Sequence, residues 1–329
     1  LPSCHFVTTD YNNTKPSVGD AFLASARSHE SSTPKVGITL VDDIQLPRFS
    51  FQKYSKDYEH LAPLINEAEQ IEMQTLHNIG AFSNYMRNLP ADANGKVDKL
   101  LWVYRAKPDA EGKLAKLKAR LTLRGDLQRM NFTGKEASAP VMEWSTFRLI
   151  VAMHARDPDV HWAQYDIVAA YLTAKMRRPV YVQLPDEHVP LKYRGWFVKV
   201  EMALYGGLDS GRCFYDKNVK VHLNLDFTQP CLHDKCYFYK ESEDGSSWIK
   251  LLFHVDDCVS AYKGTAFWDA YVTSLKKEFS FTPGPLTHHL GVRITRADNG
   301  TFRFDLEAQI EKMLRAFHLH DCTPAKHPV

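Results

Sequence analysis

The sequence predicts a mixed α+β fold built on an antiparallel sheet. Segments of strand periodicity alternate with segments of helical periodicity, and several of the strands are joined by tight turns. Hairpin joins demand antiparallel neighbours, whereas a doubly wound parallel sheet needs a crossover between strands. A third observation concerns chemistry: the apolar run "LLFHVDDCVSAY" at residues 251–262 is interrupted by two adjacent aspartates, Asp256 and Asp257. A buried carboxylate is costly unless it is neutralised, paired or bound to a metal.

Residues 1–55 are rich in Ser, Thr, Asn and Pro without sustained periodicity and read as a loosely ordered leader. Residues 56–95 read as a helical extension, because Leu61, Leu64, Ile65, Ala68, Ile71 and Leu76 recur at three- and four-residue steps. Residues 96–329 carry the main domain. There "LLWVYRAK" reads as a strand, "PDAEGK" as a turn and "LAKLKARLTLRG" as a returning strand with basic residues on one face. Ser145 to Ala155 reads as a helix capped by Ser145 or Thr146. "VHWAQYDI" is a strand ending in Asp166, and "VAAYLTAKM" turns helical after it. "RRPVYVQLP" and "WFVKVEMALYG" read as strands, "SGRCFYDKNVKVHLNL" as a helix, and "CYFYKE", "SSWIKLLFHV" and "DCVSAY" as strands. Helix "TAFWDAYVTSLKKEF", the strand pair "HHLGVRITR" and "TFRFDL", and helix "EAQIEKMLRAF" follow.

The chain has 329 residues, 44% hydrophobic and 24% charged, an ordinary globular composition with room for a sizeable core. No apolar stretch approaches a membrane span, and the start lacks the basic and apolar regions of a signal peptide, so the expectation is an intracellular protein with no membrane partner. The first residue is Leu1, which is consistent with a segment of a longer polyprotein. The six cysteines follow no disulfide rhythm and read as free thiols. Cys231, His233 and Cys236 match no strong zinc template.

Net charge is only +2, yet residues 96–129 hold ten Lys or Arg against four Asp or Glu. A local basic stripe on a nearly neutral chain is the footprint of phosphate binding, and a solvated strand face reads equally well. The aspartates divide in the same way. Placed at a hairpin tip, with Asp166 at the end of another strand, they form a carboxylate group that divalent cations would neutralise. Mg²⁺ prefers oxygen ligands and substrate phosphates, and two such ions about 3.5–4 Å apart serve phosphoryl transfer. Aspartate pairs are also common in turns for purely local reasons.

The segments "WVYRAKPDAEGKLAKLKARL", "SAPV", "QYDIVAAYL", "VYVQLP", "ALYGG", "HVDD", "HHLGV" and "QIEKMLRAFHLHDCTPAKHPV" occur in this order over residues 60–329. In that order the chain resembles the reverse transcriptase domain of Ty1/copia-type LTR retrotransposons. The resemblance implies a right-hand polymerase: a fingers hairpin over about 100–130, a palm with an antiparallel sheet over about 145–285, and the start of a thumb or connection over about 286–329. It implies Asp166 and Asp256 as the main metal ligands, with the Ile167 carbonyl contributing and Asp257 as an accessory carboxylate. The implied cofactors are two Mg²⁺ ions, with Mn²⁺ as a substitute. Tyr171 matches the aromatic position that would clash with a ribonucleotide 2′-hydroxyl; core packing is its other reading.

Lys118, Arg120 and Arg124 match the basic fingers strand that meets triphosphate or template backbone. Tyr205 and Gly206 match the segment against nucleotide and template base, and His254 and Arg212 the primer–template contacts. The implied partners are an RNA or DNA template with primer, deoxynucleoside triphosphates, and the RNase H and integrase segments of Pol. The implied location is a cytoplasmic virus-like particle and the nucleus. The family reads L-Y-G-L-K-Q-A-P-R where this chain has "LYGGLDSGR", so that Leu208, Asp209 and Gly211 replace a lysine, a glutamine and a proline; His254 replaces the tyrosine of Y-V-D-D. These departures leave two alternatives to polymerisation: a decayed copy that binds nucleic acid, or a nuclease using the same carboxylates.

Overall fold

The computed structural model of the protein describes residues 61–108, 114–128 and 137–322. The leader, the turn at 109–113 and the closing residues 323–329 lie outside the described residues. In chain order come helix α1 (Ala62–Asn78), strands β1 (Leu100–Pro108) and β2 (Leu114–Leu123), the short helix α2 (Gly125–Gln128) and helix α3 (Trp144–His154). Strand β3 (Val160–Asp166), the single turn α4 (Ala170–Thr173), strands β4 (Tyr181–Val182) and β5 (Val198–Lys199), and helix α5 (Ser210–Asn224) follow. Then come β6 (Tyr237–Glu241), β7 (Trp248–His254), β8 (Asp257–Lys263), helix α6 (Thr265–Leu275) and β9 (Gly284–Pro285). β10 (His288–His289), β11 (Val292–Arg296), β12 (Phe302–Asp305) and helix α7 (Glu307–Ala316) complete the order. Every pairing between these strands is antiparallel, as the hairpin joins predict.

The chain divides into two compact units. The hairpin unit takes the described residues before Val141 together with Ile167–Asp226. In it, α1 starts with a proline in its first turn and ends where Gly80, at φ 66°, turns the chain back. Its buried face of Ile65, Ala68 and Leu76 meets the alternate residues Trp102 and Tyr104 of β1 and Ala119, Leu121 and Leu123 of β2. Full burial of a leucine such as Leu76 or Leu121 stabilises by about 1.5–3 kcal/mol. Glu69, buried on the same helix, is satisfied by the Tyr104 hydroxyl and by His188 Nε2 at 2.8 Å.

Two expected strands are short. Pro179 and Pro185 bracket "VYVQL", and only Tyr181 and Val182 keep a regular ladder, with Lys199 and Val198. The helix expected after Asp166 is a single turn, entered through Ala169 at φ 51° and left where Ala174 returns to extended backbone. In α5, Cys213, Phe214, Asn218, Val221 and His222 recur at helical steps as the buried face. His222 bonds the Asn218 carbonyl at 2.8 Å, and burial pushes its pKa down to about 4.

The five-strand unit holds Val141–Asp166 and the described residues from Phe227 onward. Its main sheet has the order β6-β7-β8-β3-β9, and a second sheet has the order β10-β11-β12. Phe238, Ile249, Leu251, Phe253 and Cys258 are buried, as are Trp268, Tyr271, Val272 and Leu275 of α6; the Trp268 ring stacks on Tyr262 of β8 at 4.4 Å. Helix α3 begins at Trp144, so Ser145 and Thr146 lie in its first turn instead of capping it. Tertiary bonds fix that entry: Met142 N donates to the Phe253 carbonyl and Glu143 N to buried Asp234, each at 3.0 Å. Asp234 also accepts from Cys236 N, which makes the "CLHDKC" segment a carboxylate-tied loop. Burial drives the Cys236 thiol up to about 12.

Candidate active site

Strands β7 and β8 pair out to His254↔Asp257, so the connecting turn consists of Val255 and Asp256 alone. Asp257 is thus the first residue of β8 and not part of the tip. On the other side of β8, Asp257 stands opposite Asp166, the last residue of β3. His254, Asp257 and Asp166 therefore form one rung across three adjacent strands, with Asp256 beside it in the turn. The next rung inward is Phe253, Cys258 and Tyr165, all buried. Alternation along a strand sends successive side chains to opposite faces, which separates the polar rung from the apolar one.

This arrangement stores two costs. Like charges directly opposite each other across an antiparallel pair are destabilising. Val255 adopts φ 59°, a left-handed conformation that costs a β-branched residue about 1–2 kcal/mol. Such strain concentrates where function holds a backbone in place. Ile167, next after Asp166, is fully buried. Among the described residues no group of three or more His, Cys, Asp and Glu forms a ready-made metal cage. The donor set nonetheless suits Mg²⁺, which needs only one or two protein carboxylates when substrate phosphates and water complete its shell.

The remaining candidates belong to the hairpin unit, where some of them meet. The Arg120 guanidinium lies 4.6 Å over the Tyr205 ring, and the Tyr171 ring is 5.7 Å from Tyr205 and 6.3 Å from Phe214. Gly206 has φ 77°, and a Cβ there would fall 2.3 Å from the Leu123 carbonyl oxygen, so only glycine allows this approach to β2. Lys118 is buried on β2. Arg124 and Arg212 are held elsewhere: Arg124 by Asp126 at 2.6 Å, and Arg212 by Asp216 at 2.8 Å. Asp126 raises the Arg124 pKa further.

Two further acids lie in the hairpin unit; Glu72 escapes sequence reasoning, and Asp209 stood out there only as a departure from the family pattern. Glu72 of α1 accepts weakly from Leu121 N at 3.4 Å; burial raises its pKa to about 7, against the opposing charges of Arg120 and Lys118. Its helical position was legible, its basic neighbours were not. Asp209, just before α5, is buried, and neither oxygen finds a hydrogen-bond partner in another residue. Burial raises its pKa, against the pull of Arg178 and Arg177.

Comparison with known proteins bears on this geometry. A family described as reverse transcriptase (RNA-dependent DNA polymerase) matches residues 86–329. The retrovirus-related Pol polyprotein from transposon TNT 1-94 of Nicotiana tabacum is 27% identical over 270 residues, covering 80% of this chain and 19% of the polyprotein. The corresponding polyprotein from transposon RE1 of Arabidopsis thaliana is 24% identical over 200 residues, covering 60% of this chain and 13% of its own length. The chain thus spans a fifth or less of these relatives. A telomerase from Candida albicans, solved with a TWJ fragment of telomeric RNA, aligns at a TM-score of 0.39 and 8% identity over 77% of this chain and 53% of that one. That likeness is too slight to bear on function. The match over most of the chain places this protein in the reverse transcriptase family, with Pol polyproteins of Ty1/copia-type retrotransposons among its relatives.

Proposed function

We propose that this chain is an RNA-directed DNA polymerase whose reaction centre is the rung formed by Asp166 and Asp257 with Asp256 beside it. The observation that carries the reading is the pairing of Asp166 with Asp257 at the end of three adjacent strands, in a chain of this family. In this reading the palm spans about 145–285 and includes the five-stranded sheet, the β1–β2 hairpin is the fingers, and the residues from about 286, α7 among them, begin the thumb or connection. Asp166, Asp256 and the Ile167 carbonyl would hold two Mg²⁺ ions, with Asp257 as the accessory carboxylate. Bound there, the ions supply charge neutralisation and activation of the attacking oxygen.

The primer 3′-oxygen forms a bond to the α-phosphorus, the bond to the bridging oxygen breaks, and pyrophosphate leaves. Lys118 and Arg120 bind the triphosphate, for which a guanidinium fork is well suited. Tyr171 closes the space a 2′-hydroxyl would need, and the ring of Tyr205 under Arg120 keeps that guanidinium in place. Template, primer and deoxynucleoside triphosphates are the partners, with other Pol segments acting alongside.

The test is primer extension on an RNA template with Mg²⁺, comparing wild type with the Asp256→Asn, Asp257→Asn double variant. Extension by wild type alone supports the reading, and equal product from both overturns it. One observation favours a second reading, a copy that binds nucleic acid without polymerising: buried Asp209 stands where the family has glutamine, and its side-chain oxygens lack a hydrogen-bond partner. In that case wild type binds primer–template without extending it, and Asp209→Gln restores product.

A further inference from the structure

Directly behind the carboxylate rung, Tyr165 of β3 and Cys258 of β8 are cross-strand partners on the buried face. Tyr165 precedes Asp166 and Cys258 follows Asp257. The Tyr165 hydroxyl lies 2.6 Å from the hydroxyl of Tyr271 on α6, while the Cys258 thiol donates to the Val259 carbonyl at 3.6 Å. The surroundings are otherwise apolar: Phe281 packs on Tyr165 at 4.5 Å, and Phe227 and Trp268 pack on Tyr271 at 5.1 and 5.4 Å. A buried hydroxyl must find a partner, and phenylalanine would fill either place without that demand. The bond therefore needs a reason beyond packing.

Register supplies that reason. Slipping β3 by one residue against β8 would send Asp166 to the buried face and Tyr165 to the cleft. The apolar pattern of β3 already opposes that slip, and a hydroxyl pair fixed to a separate helix adds a bond that is satisfied in one register only. Ser260 Oγ, which donates to the Ala163 carbonyl at 3.0 Å, pins the same two strands farther along.

We propose that Tyr165 and Tyr271 are a positioning pair that ties β3 to α6 and so holds Asp166 opposite Asp257 for metal binding and nucleotidyl transfer. This rests on the polymerase reading above. Neither tyrosine touches substrate; both act through the strand that carries Asp166.

The experiment uses the full chain as wild type, Tyr271→Phe, and the Tyr165→Phe, Tyr271→Phe double variant. The double variant removes both hydroxyls together and keeps the test alive if the single change, which strands the Tyr165 hydroxyl, impairs folding. Mn²⁺ binding is followed by electron paramagnetic resonance, and primer extension gives kcat, KM for the nucleotide and the Mg²⁺ concentration at half-maximal rate. Mn²⁺ affinity should weaken by about 10-fold, as for other residues that orient metal ligands. The value of kcat should fall by about 10- to 100-fold, with KM for the nucleotide changed by less than about twofold. A lowered Tm with unchanged Mn²⁺ affinity, Mg²⁺ requirement and kcat in both variants would show a purely structural bond and overturn the inference alone. Wild type that neither binds Mn²⁺ nor extends primer overturns the polymerase reading and this inference together.

Discussion

Two groups of charges, one in each unit, meet opposite surroundings. In the hairpin unit, Glu69 has Tyr104 and His188, Arg124 has Asp126, and Arg212 has Asp216. In the five-strand unit, Asp166 and Asp257 face each other across adjacent strands beside a turn strained at Val255. Interactions resolved within the chain lend stability, while in the proposed reading the rung of carboxylates is where a divalent cation would bind.

That contrast can be broken first at the rung. In the polymerase reading, Asp166→Asn should lower primer extension by about 10³-fold or more while circular dichroism stays near wild type and Tm holds or rises, because removing one of two facing carboxylates relieves their repulsion. The mirror experiment is Glu69→Ala. Removing this buried acid leaves Tyr104 and His188 facing a cavity, and urea unfolding should show a loss of about 2–4 kcal/mol.

Glu72 sharpens the comparison through pH. Its folded pKa, raised from 4.5 to about 7, means that the folded state disfavours the carboxylate. Its contribution to stability is greatest below pH 4.5 and is lost as pH rises toward 7. Glu72→Gln should therefore flatten the stability profile across that window, and an unaltered slope would mean that the burial has been misassigned. The smallest effect belongs to Val255→Gly. Relief of the left-handed strain should stabilise by at most about 1 kcal/mol, offset by the added freedom of glycine in the unfolded chain, while kcat falls as Asp256 loses its fixed position.

Much of the five-strand unit was legible because its strands have strong signatures. The apolar run of β7 and β8 announced a hairpin, and the aspartates stood out as charge where none belonged. Hydrophobic periodicity also found α1, α5 and α6. Elsewhere tertiary context decided. The cap expected at Ser145 or Thr146 gave way to bonds that Glu143 N and Met142 N donate to Asp234 and the Phe253 carbonyl, residues distant in sequence. The strand expected over "RRPVYVQLP" shrank between prolines. At the candidate site, no local pattern shows a valine at positive φ or the pairing of Tyr165 with Tyr271, whereas the Arg212–Asp216 pair is an i,i+4 step on a predicted helix.

The chain leaves the five-strand unit immediately after Asp166 and returns only at Phe227. During synthesis β3 therefore emerges long before β8, the strand that pairs with it along its whole length. With about ninety residues between Asp166 and Asp257, and a ribosome adding roughly 5–20 residues per second, β3 waits about 5–20 s for its partner. Through that interval its backbone edge and the side chains of Tyr165 and Val160 lack their native cover. A chain interrupted anywhere before Asp257 carries β3 without the strand that pairs with it along its whole length.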